Sequence, residues 1–287
     1  MTKDLGSVVV SREGSTFVVS RQGGSLWQLV RIVSTALAVL TVLSTLVDTP
    51  TWAGIPAIDV RQQCTGFIYA MSMADQYIRT GSAEKILVVG SEVHSKGLDK
   101  STGGRDVTVL FGDGAGAVIM EATEPTDRDR DSQLFSTHLY ADGAYAEDLW
   151  VPAVSTAYDE EIVDQRMIDR GDQYPKMNGR NVFVHAVKRM PEAVETSLEN
   201  NGYQANDVDL FVFHQANLRS VEAVAHRLGA PDGKVFNTID RFANTTAATI
   251  PIGLDEAVRA GRLEPGMLVA MAAFGSGFTW GSALLRW

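Results

Sequence analysis

The chain has 287 residues, enough for one large or two modest hydrophobic cores, and its 45% hydrophobic and 21% charged content is ordinary for a globular protein. A formal net charge of −10 at pH 7, with no basic stripe to offset it, argues against non-specific nucleic-acid binding. The single cysteine, Cys64, excludes an internal disulfide and a multi-cysteine zinc site, and it suits a reducing compartment.

Residues 1–25 are rich in Ser, Gly and Val, and Ile32–Val47 is a continuous uncharged run between Arg31 and Asp48. That run is shorter than the ~20 residues a membrane span needs. About thirty residues precede it, whereas a signal peptide carries its apolar region close to Met1. Thr51-Trp52-Ala53 could pass for a cleavage site, but cutting there would leave the next strand as the new terminus. The expectation is a buried helix, or a segment with no native role, and no stable membrane insertion.

From Gly54 onward the pattern alternates as α/β. Ile55–Val60 is a short apolar run of strand type, and Phe67, Ile68, Met71, Ala74, Tyr77 and Ile78 then recur at helical spacing. Thr80-Gly81-Ser82 ends that helix. Lys85–Gly90 is a strand apolar throughout, as expected where helices cover both faces. Gly112-Asp113-Gly114-Ala115-Gly116 leads into a strand at Ala117–Met120, and glycines there imply close backbone approach. A phosphate loop is disfavoured, because no helix and no Lys-Ser/Thr pair follow.

Charged Glu124–Ser132 marks the boundary between halves. Leu134–Tyr140 reads as a strand, and acidic Asp142–Tyr174 as a surface excursion. Asn178–Asn200 is an amphipathic helix with Val182, Phe183, Ala186, Val187, Met190, Val194 and Leu198 on its apolar face, and Pro191 suggests a kink or break. Asp209–Phe213 is a buried strand ending at His214. Helices follow at Leu218–Leu228 and Ala247–Ala260, and strands at Met267–Ala273 and Phe278–Trp287. Strand, glycine-rich turn and strand occur at Ile86–Met120 and again at Met267–Trp287, a faint internal repeat with a natural site at its junction.

Cys64 falls at a strand-to-helix junction, where unpaired amides at the helix start favour a thiolate. A buried, inert cysteine explains the position equally well. His214 sits at a strand end, where function concentrates, though a satisfied core histidine fits there too. Asn244, in Phe242-Ala243-Asn244-Thr245-Thr246, is a candidate donor or a plain N-cap. Gly275-Ser276-Gly277 is a turn or an amide donor to an oxyanion. The three side chains at element ends point together to cysteine-based acyl chemistry.

These stretches are similar to those of the β-ketoacyl-acyl-carrier-protein synthase III family, of thiolase fold. The carrying motifs are DVRQQCTGF (59–67), VVGSEVHS (88–95), STGGRDVTVLFGDGAGAV (101–118), FHQAN (213–217), VFNTIDRFANTTAATIP (235–251) and AFGSGFTWGSALLRW (273–287). His214 and Asn244 lie about thirty residues apart, as in the family. The resemblance covers 54–287. It implies two similar α/β halves, 54–123 and 134–287, layered α-β-α-β-α, with residues 1–53 atypical and the N-terminal half incomplete or altered.

The resemblance implies further that Cys64 accepts an acyl group from acyl-coenzyme A. His214 and Asn244 then hydrogen-bond the thioester oxygen of malonyl carrier protein during decarboxylation. The Cys64 and Ser276 amides form an oxyanion hole, Ser276 standing where the family often has glycine. Arg219 matches a basic position that contacts carrier protein, and His226 and Arg227 lie near the same helical face. A homodimer in the cytoplasm is implied, with no metal or redox cofactor. Other expectations are acyl transfer to a different acceptor or thioester hydrolysis by the same cysteine, or a catalytically silent chain.

Overall fold

Leu210–Phe213 (β8), Leu268–Gly275 (β9) and Thr279–Arg286 (β10) are buried at every residue, and this sets the centre of the molecule. The computed structural model describes residues 56–154 and 161–287 in full, and the backbone alone of two strands, Val8–Glu13 (β1) and Thr16–Arg21 (β2), which pair antiparallel. The expectations for Ile32–Val47 and Thr51–Ala53 lie outside the described residues. With Gln133–Ala141 (β5), the three buried strands form a sheet ordered β5-β10-β9-β8. β8 runs parallel to β9, and the other two pairings are antiparallel.

Helices cover both faces of this sheet. On one face, Gly66–Arg79 (α1) inserts Phe67, Ile68, Met71 and Ala74, and Thr249–Arg259 (α4) inserts Ile250, Leu254 and Ala257, against Val212, Val269, Met271 and Ala283. On the other, Gly179–Asn201 (α2) and Leu218–Leu228 (α3) bury Met190, Val194, Leu198, Val221 and Val224 against Phe211, Phe213, Ala272 and Leu284. Beyond α1 and α4 lies an antiparallel pair, Lys85–Val93 (β3) and Asp113–Glu121 (β4), whose Val88 and Val118 join the first cluster. The described residues thus build four layers, α-β-α-β, of the five expected.

Several expectations change here. Pro56–Gln62 carries no strand: an extended segment becomes one only by pairing, and none of its backbone pairs with a described strand. Ile58 is 57% exposed accordingly. Tyr77, at 45%, and Phe183, at 39%, also turn outward from helices whose other expected apolar residues are buried or half-buried. Pro191 does not break α2, which runs unbroken to Asn201 and stops at left-handed Gly202. Finally, β3 buries only Val88 and Gly90, so its apolar sequence does not reflect cover on both faces.

The surface excursion contains a 3-10 segment, Gly143–Asp148, a two-residue ladder, Leu149–Trp150 (β6) with Lys176–Met177 (β7), and a short helix, Gln165–Asp169.

Candidate active site

Cys64 sits in a 3-10 turn, Gln63–Thr65, that runs straight into α1. Gln63 takes the left-handed φ of 47°, which a non-glycine residue holds only under constraint. The constraint is Thr65, whose hydroxyl bonds Gln62 O at 2.8 Å and meets Thr279 Oγ1 at 2.8 Å. The end of β9 closes over the cysteine. A Cβ added at Gly275 would stand 2.7 Å from Cys64 Cβ and 3.3 Å from its Sγ, so only glycine allows this approach. The cysteine is buried, and burial pushes its thiol up to about 12, with the Glu92 charge adding to the rise and the Cys64 amide opposing it. Desolvation therefore outweighs the helix terminus expected to favour a thiolate.

His214 follows β8, with its amide donating to Ala272 O at 2.8 Å. Its Nδ1 lies 2.8 Å from Thr249 Oγ1 at the start of α4. Burial lowers its pKa to about 4, opposed by a hydrogen bond with the Thr246 backbone, so the ring is neutral at physiological pH. Asn244 is pinned across the two halves: its amide donates to Leu110 O, and its carbonyl accepts from Gly112 N, both at 2.9 Å. Its Oδ1 accepts from Thr246 N at 2.9 Å, which assigns the amide orientation and leaves Nδ2 as a donor with no partner among the described residues. It is therefore no N-cap; Ala248 holds that place for α4.

The three side chains meet at one piece of backbone. The 3-10 turn Thr246–Ala248 holds His214 and Asn244 through Thr246 and Thr249, and it packs on the Cys64 turn and on β3. Gly90 makes that packing possible, since a Cβ there would be 2.4 Å from Ala247 O. Cys64 itself makes no hydrogen bond to His214 or Asn244.

Models of two domains of one family match this chain. The 3-oxoacyl-[acyl-carrier-protein] synthase III model covers residues 58–143, and its C-terminal counterpart covers 198–287. The beta-ketoacyl-[acyl-carrier-protein] synthase III of Xanthomonas euvesicatoria pv. vesicatoria is 46% identical over 235 residues, 82% of this chain and 68% of the relative. The chain belongs to this family. A relative of the same name from Methylococcus capsulatus is 46% identical over 232 residues, 80% of this chain and 67% of its own. The 3-oxoacyl-[acyl-carrier-protein] synthase III structure from Aquifex aeolicus VF5 superposes with a TM-score of 0.74 at 37% identity, covering 87% of this chain and 72% of that one.

The thiolase fold of the synthase III family is therefore the fold of this chain. Ser276 lies in the β9–β10 turn immediately beyond Gly275, and its hydroxyl donates to Leu149 O, tying the turn to the surface excursion. Arg219, His226 and Arg227 are all exposed on α3, opposite the face carrying Val221, Val224 and Leu228. Exposed Glu222 shares their side, so the basic patch is interrupted. Among the described residues, no three His, Cys, Asp or Glu side chains group as a metal ion would require, and no helix is long and apolar enough to cross a membrane.

Sequence reasoning missed the roles of Glu92, Thr246 and Thr249, and it named Gly275 only as part of a turn, not for its approach to Cys64. Glu92 shapes the thiol and accepts from Thr246 Oγ1 at 3.0 Å. None of these carries a spacing signal, because each acts through a contact between segments distant in sequence.

Proposed function

We propose that this condensing enzyme transfers an acyl group from acyl-coenzyme A to Cys64 and joins it to malonyl carrier protein with loss of carbon dioxide, at the junction of the halves 54–123 and 134–287. The observation that carries the reading is the Thr246–Ala248 turn, which fixes a neutral His214 and an Asn244 donor against the turn of the buried thiol.

In the first half-reaction Cys64 Sγ attacks the thioester carbon, coenzyme A leaves as the thiol, and the Cys64 and Ser276 amides receive the transient oxyanion. In the second, the thioester oxygen of malonyl carrier protein takes a hydrogen bond from Asn244 Nδ2 beside His214. The malonyl carboxylate departs as carbon dioxide, and the electron pair left behind forms an enolate. The enolate carbon attacks the acyl carbonyl, releasing the 3-oxoacyl product and the Cys64 thiolate, which takes a proton from water. Asn244 suits the task because it donates while uncharged; an aspartate there would repel the enolate.

Arg219, flanked by His226 and Arg227, is the proposed carrier-protein contact, and a homodimer in the cytoplasm is the proposed setting. Catalysis by these residues calls on no metal or redox cofactor.

Intact mass after incubation with acyl-coenzyme A tests the reading. The expected adduct equals one acyl group and is absent from Cys64→Ala. A folded protein that forms no adduct with any acyl-coenzyme A would defeat the proposal. Carbon dioxide release from malonyl carrier protein separates condensation from simple acyl transfer or hydrolysis.

A further inference from the structure

Asn244 owes its direction to Thr246. Both backbone groups of Asn244 are tied to the first half, so only its side-chain torsions are left to set. The Thr246 amide sets them by donating to Oδ1 at 2.9 Å. Thr246 is β-branched and held at a φ of 48°, a conformation that surrounding bonds must impose. Its amide bond to Asn244 and the bond its carbonyl receives from Thr249 both lie within 244–249, and they would travel with that loop. The hydroxyl reaches outside: it donates to Glu92 Oε2 at 3.0 Å, across the junction of the halves, onto β3.

Glu92 is placed to receive that bond. Its Oε1 accepts from Val93 N at 3.0 Å, so its own strand fixes the carboxylate and leaves Oε2 for Thr246. His94 Nε2 stands 3.6 Å from Oε2, beyond hydrogen-bond reach. Gly114 lies opposite Glu92 in the β3–β4 ladder, and a Cβ there would come within 2.9 Å of Thr245 Cγ2, so glycine leaves room for the loop. Thr246 is buried, so its hydroxyl depends on Glu92 and not on water.

We infer that Glu92 is a positioning residue for decarboxylation, fixing the direction of Asn244 Nδ2 through the Thr246 hydroxyl. This role rests on the donor function proposed for Asn244. It gives a reason for a carboxylate near a thiol whose ionisation the charge opposes. A charged acceptor makes the stronger bond to a buried hydroxyl, and the loop needs that bond. The carboxylate thus serves the second half-reaction and hinders the first.

Carbon dioxide release from malonyl carrier protein by the acylated full chain tests the role. Glu92→Leu should slow release by about tenfold, with the apparent KM for malonyl carrier protein unchanged, and Glu92→Gln should restore most of the rate. The substituted amide still bonds a hydroxyl, which both donates and accepts, but it carries no charge. Alkylation of Cys64 by iodoacetamide at pH 8 should therefore be about threefold faster in Glu92→Gln than in the parent. Thr246→Val should match Glu92→Leu, and the double variant should be no slower than either. Undiminished release in Glu92→Leu, a Glu92→Gln as slow as Glu92→Leu, additive losses, or unaltered alkylation in Glu92→Gln would each overturn the inference. A parent that releases no carbon dioxide would defeat the functional reading instead. The positioning role is then decided by the Asn244 side-chain amide resonance of nitrogen-15-labelled protein, identified by its loss in Asn244→Ala. That resonance should move in Glu92→Leu and return in Glu92→Gln; an unmoved one overturns the inference.

Discussion

β3 and β9 each carry an apolar run closed by a glycine, Ile86–Gly90 and Leu268–Gly275, yet they live in different surroundings. β9 is buried at all its positions between two helical layers, whereas β3 meets α1 on one side and is largely half-exposed. The chemistry divides the same way. His214 projects from the fully covered sheet, while the turn bearing Cys64 follows an exposed, unpaired segment and is held by contacts from the other half, Gly275 and Thr279. Composition qualifies a strand for burial; what packs against it decides whether burial occurs. A reactive group on the less covered half can still be buried if the better-packed half closes over it.

The largest test of this division concerns the second half's role. Asn244→Ala removes the unpartnered donor and should slow malonyl decarboxylation by about 10²–10³, with far less effect on acylation of Cys64. Separate assays of acyl-adduct formation and carbon dioxide release give the two rates, and equal losses in both would erase the distinction between halves.

A matched pair of core truncations sharpens the packing contrast. Leu284→Ala in β10, fully buried between helices, should cost about 2–5 kcal/mol in urea unfolding, and Leu87→Ala in β3 about 1 kcal/mol. Equal costs would mean that β3 is as well covered as the central sheet.

The smallest effect is expected on the surface. Arg219→Glu should raise the apparent KM for malonyl carrier protein by less than about tenfold, less still at high salt where screening shortens, and leave acylation by acyl-coenzyme A unchanged. Unaltered carrier-protein kinetics at low ionic strength would make that face of α3 a merely solvated one.

Local pattern determined much of this protein by itself. The helical spacing of Phe67, Ile68 and Met71, the apolar runs of β8, β9 and β10, and the placing of Cys64, His214 and Asn244 at element ends were all legible, because each depends on neighbours along the chain. Tertiary structure alone decided the rest. Pro56–Gln62 has the apolar content of a strand but no partner to pair with. The thiol's protonation follows from burial under Gly275 and the nearness of Glu92, and not from its place at a helix start. The orientation of Asn244 and the contacts of His214 depend on Thr246 and Thr249, whose hydrogen bonds join segments far apart in sequence. Spacing along a chain encodes which face a side chain occupies; desolvation and hydrogen-bond direction are set by atoms that only folding brings within reach.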